Sequence, residues 1–391
     1  MTFILLYIFS YITIASAFSN RDVTFAAPLL DYGYAPTVQE LQTKTISNKP
    51  ILLYLPGFDG TYICPFIQFP ELGTEFEVWC MTVGMKDRST FEELKESVLD
   101  FVSSSTQKRQ LYLAGESFGG ILALDVAQTL SKSSESNLQG LILINPATSY
   151  DRSALFEQGP PVAKLAPFLY PFGLIKLLPL FTDEFSFEQL LLILNAKALP
   201  SVIDDPAKEA YMGRVAISLP FRLEYMPQET LHWRLTQWLE TGCKEIKANH
   251  ANLPRSLKTV IIAGEKDETL PSVEEAERLS TLLPKNQVHV VEGAGHASTC
   301  GSRIDMTAIL RSAFPELNEP NSSGRTAMKE EATNGKGPYF GMTERYDGAD
   351  VGLNPMRYWS KEYFQSVSAE KQLIENGKGL YHKTVYSIPQ H

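Results

Sequence analysis

A strand-like run of four apolar residues, Leu111-Tyr112-Leu113-Ala114, leads without a break into Gly115-Glu116-Ser117-Phe118-Gly119, and a helix-like apolar run, Ile121 to Ala127, follows at once. Few folds accommodate this order. A serine flanked by glycines two places before and two places after sits on a strained turn that crowds strand against helix, so only residues without side chains fit where the two meet. Gly115 and Gly119 hold those places, with Gly120 behind them. The bland alternative is a glycine-softened turn whose serine caps the helix.

The body of the chain repeats strand and helix. Ile51-Leu52-Leu53-Tyr54-Leu55 reads as a buried strand ended by Pro56-Gly57-Phe58-Asp59-Gly60, and Phe76 to Val83 reads as a second. Ser89-Thr90-Phe91-Glu92 predicts a capping box opening a helix, with Phe91, Leu94, Val98 and Phe101 on one stripe. Further strands are expected at Leu141 to Ile144, Thr259 to Ala263 and Val288 to Val291. Their hydrophobicity is continuous, which predicts parallel strands covered on both faces. Between Pro146 and Pro254 this rhythm gives way to Leu, Phe and Pro, as in Val162 to Phe181 and Phe187 to Leu194, and an inserted helical cap is expected. The division that follows is a core of residues 50–150 and 251–315 with a cap at 151–250.

Both ends differ from the body. Phe3 to Ala15 is apolar almost without a break, too short for a hydrocarbon core of about 30 Å but suited to a secretory h-region. Ala15-Ser16-Ala17 supplies a small-residue cleavage site, so residues 1–17 read as a signal peptide. Ala15-Ser16-Ala17-Phe18 also resembles the bipartite plastid-targeting presequence, in which a phenylalanine directly follows signal cleavage. Residues 18–49 then form a transit segment and N-terminal arm; the expected destination is the plastid, with the secretory pathway as the alternative. Residues 316–337, rich in Asn, Ser, Gly, Glu and Lys, read as a linker. The tail, 338–391, holds nine aromatics, including Tyr358, Trp359, Tyr363 and Phe364, too many for a purely solvated segment.

Composition removes other classes. The 391 residues carry 35 Lys plus Arg against 45 Asp plus Glu, a net charge of -10, so no basic field exists to hold phosphate backbones and nucleic acid is not an expected partner. Cys64, Cys80, Cys243 and Cys300 lie far apart, without C-x-x-C or a histidine at ligand spacing, and read as unpaired thiols. Neither a metal nor a cofactor is called for.

Gly115 to Gly119, placed between strand and helix, reads as a nucleophile elbow. A serine hydroxyl is a poor nucleophile until a histidine takes its proton and an acid orients that histidine, and in α/β-hydrolases the three follow in the order serine, acid, histidine. His296, in Glu292-Gly293-Ala294-Gly295-His296 just after the strand Val288 to Val291, stands where such a histidine should emerge. His289 lies within that strand, His232 and His250 in the expected cap, and His382 and His391 in the tail. Three acids compete for the remaining role in Gly264-Glu265-Lys266-Asp267-Glu268-Thr269-Leu270-Pro271: Asp267, Glu265 and Glu268, unless all three are solvated loop acids capping the helix at Ser272. An oxyanion hole would take the backbone N–H of Phe118 and that of Phe58 in the early loop, which is otherwise an ordinary glycine turn.

On these residues the chain resembles the phytyl ester synthase family, the esterase/lipase/thioesterase group of plastid globules, over roughly Pro50 to Leu310. The resemblance rests on Leu53-Tyr54-Leu55-Pro56-Gly57-Phe58-Asp59-Gly60-Thr61, Gly115 to Gly120, Ile144-Asn145-Pro146-Ala147-Thr148-Ser149, Gly264 to Ser272, and Gly295-His296. It implies an α/β-hydrolase fold, a mostly parallel central sheet with an inserted helical cap, and it agrees with Asp267 as the acid. It also implies fatty acyl transfer from acyl-CoA, acyl carrier protein or a galactolipid to phytol or diacylglycerol, with peripheral association with a membrane or lipid globule. Val162 to Phe181 would supply the interfacial element. Members of the family typically continue into an acyltransferase-like half carrying His-x-x-x-x-Asp, and no histidine here has an aspartate five places on. The resemblance therefore covers the α/β-hydrolase half. Two other readings stand beside acyl transfer: a lipase or thioesterase releasing free fatty acid, and a non-catalytic hydrolase-fold scaffold.

Overall fold

The computed structural model describes residues 22–31, 49–105, 109–133, 136–195, 211, 225–300 and 304–318. The expected signal peptide, most of the transit segment, nearly all of the linker and the aromatic tail lie outside them.

Seven strands form one sheet in the order β1-β3-β2-β4-β5-β6-β7, with β1 at Val23–Ala26, β2 at Ile51–Leu55, β3 at Glu77–Val83, β4 at Leu111–Glu116, β5 at Leu138–Ile144, β6 at Lys258–Gly264 and β7 at Asn286–Val291. Strands β2 to β7 pair in parallel. Around them stand α1 (Phe91–Ser105), α2 (Phe118–Leu130), α3 (Ala154–Ala163), α4 (Tyr170–Phe181), α5 (Glu184–Asn195), α6 (Thr241–Ala248), α7 (Ser272–Leu282) and α8 (Met306–Ala313).

Continuous hydrophobicity has the expected cause. All five residues of β2 are buried, with Ile51, Leu53 and Leu55 entering one cluster beside α1, α2 and α7 while Leu52 and Tyr54 enter another beside α8. Each such aliphatic side chain contributes roughly 1.5–3 kcal/mol by leaving water, so the two cores, one on each face, fix the sheet's position between its helices.

Two local expectations shift. Val23–Ala26, assigned from sequence to the N-terminal arm, is an edge strand antiparallel to β3, with the hydroxyls of Thr24 and Thr82 2.6 Å apart. It covers backbone groups of β3 that an open edge would leave to other chains. The capping box lies one residue later than Ser89 to Glu92: Thr90 N–H donates to Glu93 Oε2 at 2.9 Å and Glu93 N–H to Thr90 Oγ1 at 3.3 Å. Ser89 is already engaged, donating from its N–H to Asp87 Oδ1 at 2.7 Å.

In the stretch between β5 and β6, Leu155, Val162, Tyr170, Leu177, Trp238 and Ile246 belong to the same buried cluster as α1 and α2. The insertion is thus seated on the sheet's helical layer. Its outer surface is different: Phe168 and Phe172 are 74% and 65% exposed. No helix among the described residues is long and apolar enough to cross a membrane.

Candidate active site

β4 ends at Glu116, and α2 begins at Phe118. The residue between them, Ser117, has φ 54° and ψ -115° and is 6% exposed. A non-glycine residue in this region costs about 1–3 kcal/mol and persists only when its surroundings hold it there. Here Ser117 N–H donates to Ile144 O at 2.8 Å, while Ser117 O accepts from Gly120 N–H and Ala147 N–H, both at 3.0 Å. The glycines are equally constrained: a Cβ on Gly119 would overlap Leu55 O and lie 2.6 Å from Pro56 O, and one on Gly115 would overlap the Gly119 carbonyl.

The loop after β6 brings Asp267 to the loop after β7, which carries His296. Asp267 Oδ2 lies 2.9 Å from His296 Nδ1, and His296 Nε2 lies 3.1 Å from Ser117 Oγ. A carboxylate can only accept, so Nδ1 carries the proton and Nε2 presents its lone pair to the serine hydroxyl. Asp267 is itself fixed by Thr269 N–H at 2.8 Å, Leu270 N–H at 3.1 Å and the Ser272 hydroxyl. Burial pushes the Asp267 carboxyl up, but the facing His296 charge and these hydrogen bonds outweigh it and hold the group below the usual aspartate value. Burial likewise pulls the His296 imidazolium down, and the Asp267 carboxylate overcomes it, with Glu116 and Asp183 adding to the upward shift.

Of the three acids in that loop, Asp267 meets the histidine. Glu265 and Glu268 are exposed, and Glu265 accepts instead from Gly293 N–H at 2.8 Å. His289 sits inside β7, and the exposed His250 faces Lys247 O. The early loop lies against the elbow: a Cβ on Gly57 would come within 3.7 Å of Ser117 Cβ. Phe118 opens α2, where N–H groups have no partner within the helix and the helix dipole is positive.

The end of α4 reaches three loops at once. The Phe181 ring lies 5.2 Å from Phe58 and 6.1 Å from His296, centroid to centroid, while Leu180 O accepts from the Thr269 hydroxyl. Just beyond, Asp183 Oδ2 accepts from Gly295 N–H at 2.6 Å.

Several supporting residues escape a reading of the sequence alone. Asn145, fully buried at φ 40°, ties the end of β6 to the loop after β7. Its Asn-Pro dipeptide marks a turn, and asparagine tolerates positive φ, which is the one local signal it gives. Glu116, the residue before the serine, is buried and accepts from the Tyr54 hydroxyl; burial pushes its carboxyl up to about 7.

A sheet of this order, with a serine turn after its central strand and an acid and a histidine delivered by later strand ends, is the architecture of an α/β-hydrolase. The chain belongs to the alpha/beta hydrolase family, which it matches over residues 52–302. It is similar to phytyl ester synthase 1, chloroplastic, of Arabidopsis thaliana, 31% identical over 291 residues, and to phytyl ester synthase 2, chloroplastic, of the same plant, 29% identical over 282 residues. Each alignment takes in 68% of this chain but only 37% and 38% of the two relatives, so the chain spans little more than a third of their length. Among solved structures, MenH from S. aureus aligns with a TM-score of 0.43 and 16% identity, covering 75% of this chain and 93% of that one.

Proposed function

We propose that Ser117 is the nucleophile of a fatty acyl exchange on lipid esters or thioesters. The observation that carries the reading is the hydrogen-bonded line from Ser117 through His296 to Asp267. His296 takes the serine proton as Oγ attacks the carbonyl carbon, Asp267 steadies the imidazolium, and the Phe58 and Phe118 N–H groups receive the developing oxyanion. Collapse expels the alcohol or thiol, which takes the proton back from His296, and leaves an acyl-serine. An acceptor alcohol then attacks that ester with His296 again as base, the acyl–Oγ bond breaks, and Ser117 Oγ takes the proton back from His296 as the new ester leaves.

The similarity to two phytyl ester synthases supports acyl-CoA, acyl carrier protein or a galactolipid as donor and phytol or diacylglycerol as acceptor. The exposed Phe168, Phe172 and Leu178 on and beside α4 support contact with a membrane or lipid globule, because a helix apolar on both faces has one face left for a nonaqueous neighbour. Both relatives are named chloroplastic, which supports a plastid location together with Ala15-Ser16-Ala17-Phe18. A fluorescent reporter fused behind residues 1–49 tests this; fluorescence confined to the cytosol contradicts it.

The second reading is hydrolysis, in which water resolves the acyl-serine. It is favoured by the match to the alpha/beta hydrolase family over residues 52–302, from within β2 to beyond β7. Product analysis decides: full-length protein and Ser117→Ala are given a radiolabelled acyl thioester or galactolipid, with and without phytol. Phytyl ester formed only with Ser117 supports transfer, and free fatty acid alone supports a lipase or thioesterase. No serine-dependent product from either donor would leave a hydrolase-fold scaffold.

A further inference from the structure

The helix Gln228–Trp233 runs into a π-helical turn, Arg234–Glu240, and two side chains of that turn are fully buried. The Arg234 guanidinium lies 4.4 Å from the centre of the Trp238 ring, and Trp238 stacks on Phe118, with centroids 4.8 Å and planes 22° apart. A buried arginine requires acceptors. Nη1 donates to Phe58 O at 2.7 Å, and Nη2 to Gly84 O at 2.8 Å and Val83 O at 3.1 Å. Gly60, at φ 76°, leaves the room, since a Cβ there would stand 3.1 Å from Nη1. Trp238 is anchored in turn, its Nε1–H donating to Ser89 O at 2.8 Å.

One turn of the insertion thus holds the carbonyl of Phe58 with one side chain and the ring of Phe118 with another. These two residues carry the N–H groups proposed above as oxyanion donors. Such donors accelerate a reaction only if they are fixed before the charge appears. The Phe58 N–H belongs to the Gly57–Phe58 peptide, whose carbonyl accepts from Gly60 N–H at 3.0 Å, while the Phe58 carbonyl belongs to the next peptide, which the Arg234 cation holds. With the peptides on both sides of its Cα fixed, Phe58 keeps one backbone conformation. Arginine is always charged, so Arg234 also offsets Asp59, a carboxyl in the same loop whose charge would oppose an oxyanion. π-Helical turns occur often at functional sites.

We infer that Arg234 and Trp238 are positioning residues for the oxyanion hole, setting the backbone that carries the Phe58 and Phe118 N–H groups. The inference rests on the proposed role of Ser117. The test uses the full chain, a short-chain p-nitrophenyl ester, active-site counts from end-point titration with a fluorophosphonate, and inhibition by an alkyl boronic acid, whose adduct with Ser117 places an anionic oxygen in the hole.

Arg234→Lys should lower kcat per active site by about 10- to 100-fold and raise the boronate Ki by a similar factor, with KM within about threefold of wild type. Trp238→Leu should move both quantities the same way, and Trp238→Phe, which keeps a stacking ring, should recover most of the loss. A purely structural role would lower the melting temperature while kcat per site and boronate Ki stayed at wild-type values, and that result would overturn the inference. Should Arg234→Lys fail to fold, the tryptophan pair decides, because equal kcat per site in the Leu and Phe variants overturns it as well. Failure of the underlying reading is a separate result: Ser117→Ala would keep its esterase activity.

Discussion

Asn145 donates from Nδ2 to the carbonyl oxygen of His296 at 2.6 Å, across 151 residues of chain. The same side chain donates to Ser298 Oγ at 3.0 Å and accepts from Gly264 N–H at 2.8 Å through Oδ1. One buried amide therefore sets the spacing between the end of β6, where the loop to Asp267 begins, and the loop that carries His296. Asn145→Ala leaves a buried carbonyl and a buried N–H without partners, so a loss of about 2–5 kcal/mol is expected in denaturant unfolding. Asn145→Asp keeps an acceptor for Gly264 but turns a second acceptor toward the His296 carbonyl. Both variants should lose kcat, the aspartate variant no less than the alanine one.

In the proposed reaction His296 must be neutral to take the serine proton. Its imidazolium is held above the ordinary value of 6.5, chiefly by Asp267 working against burial. The acid limb of kcat/KM should therefore fall above pH 6.5, activity being lost as pH drops and the ring becomes protonated. Asp267→Asn removes that support, so the limb should move to lower pH while the plateau falls by about 10³–10⁴-fold. A pH–rate profile of both proteins checks the direction.

Glu116 gives a stability effect of opposite origin. Burial raises its carboxyl to about 7 from 4.5, so the native state binds this proton more tightly than the unfolded chain does. Its contribution is full below pH 4.5 and is lost as pH rises through 7, amounting to about 3 kcal/mol against an ordinary carboxyl. Glu116→Gln cannot ionise. The melting temperature of the variant relative to wild type should therefore rise by several degrees between pH 5 and pH 8.

At the elbow, Gly119→Ala places a Cβ against the backbone of Leu55 and Pro56, neither of which can move without disturbing β2. A loss of at least about 3 kcal/mol is expected, with little soluble protein recovered. An exposed control such as Ser103→Ala, at the end of α1, should melt within a degree or two of wild type.

Much of this was legible because it is local. Continuous apolar runs mark strands buried on both faces, and a serine between crowded glycines marks the turn that follows β4. The loops after β6 and β7 lie directly behind their strands, so chain order nominates His296 and a loop with three acids, among which the family resemblance agrees with Asp267. What escaped depends on distant partners. β1 is four residues long and only partly buried, hence without a clear periodic signal. Asn145 shows no more in sequence than a turn beside Pro146, because the groups it holds together lie more than a hundred residues away. A buried Arg234 looks in sequence like any surface arginine until Phe58, Val83 and Gly84 are seen around it.

The central claim is that Ser117 forms the acyl-enzyme. Full-length protein would be quenched in acid shortly after mixing with a fatty acyl thioester, and its peptides analysed by mass spectrometry. An acyl group is expected on the peptide carrying Ser117, absent from Ser117→Ala and accumulating when phytol and water attack are slowed at low temperature. Turnover of the thioester by Ser117→Ala at the wild-type rate, or an acyl group carried on a different residue, would contradict it.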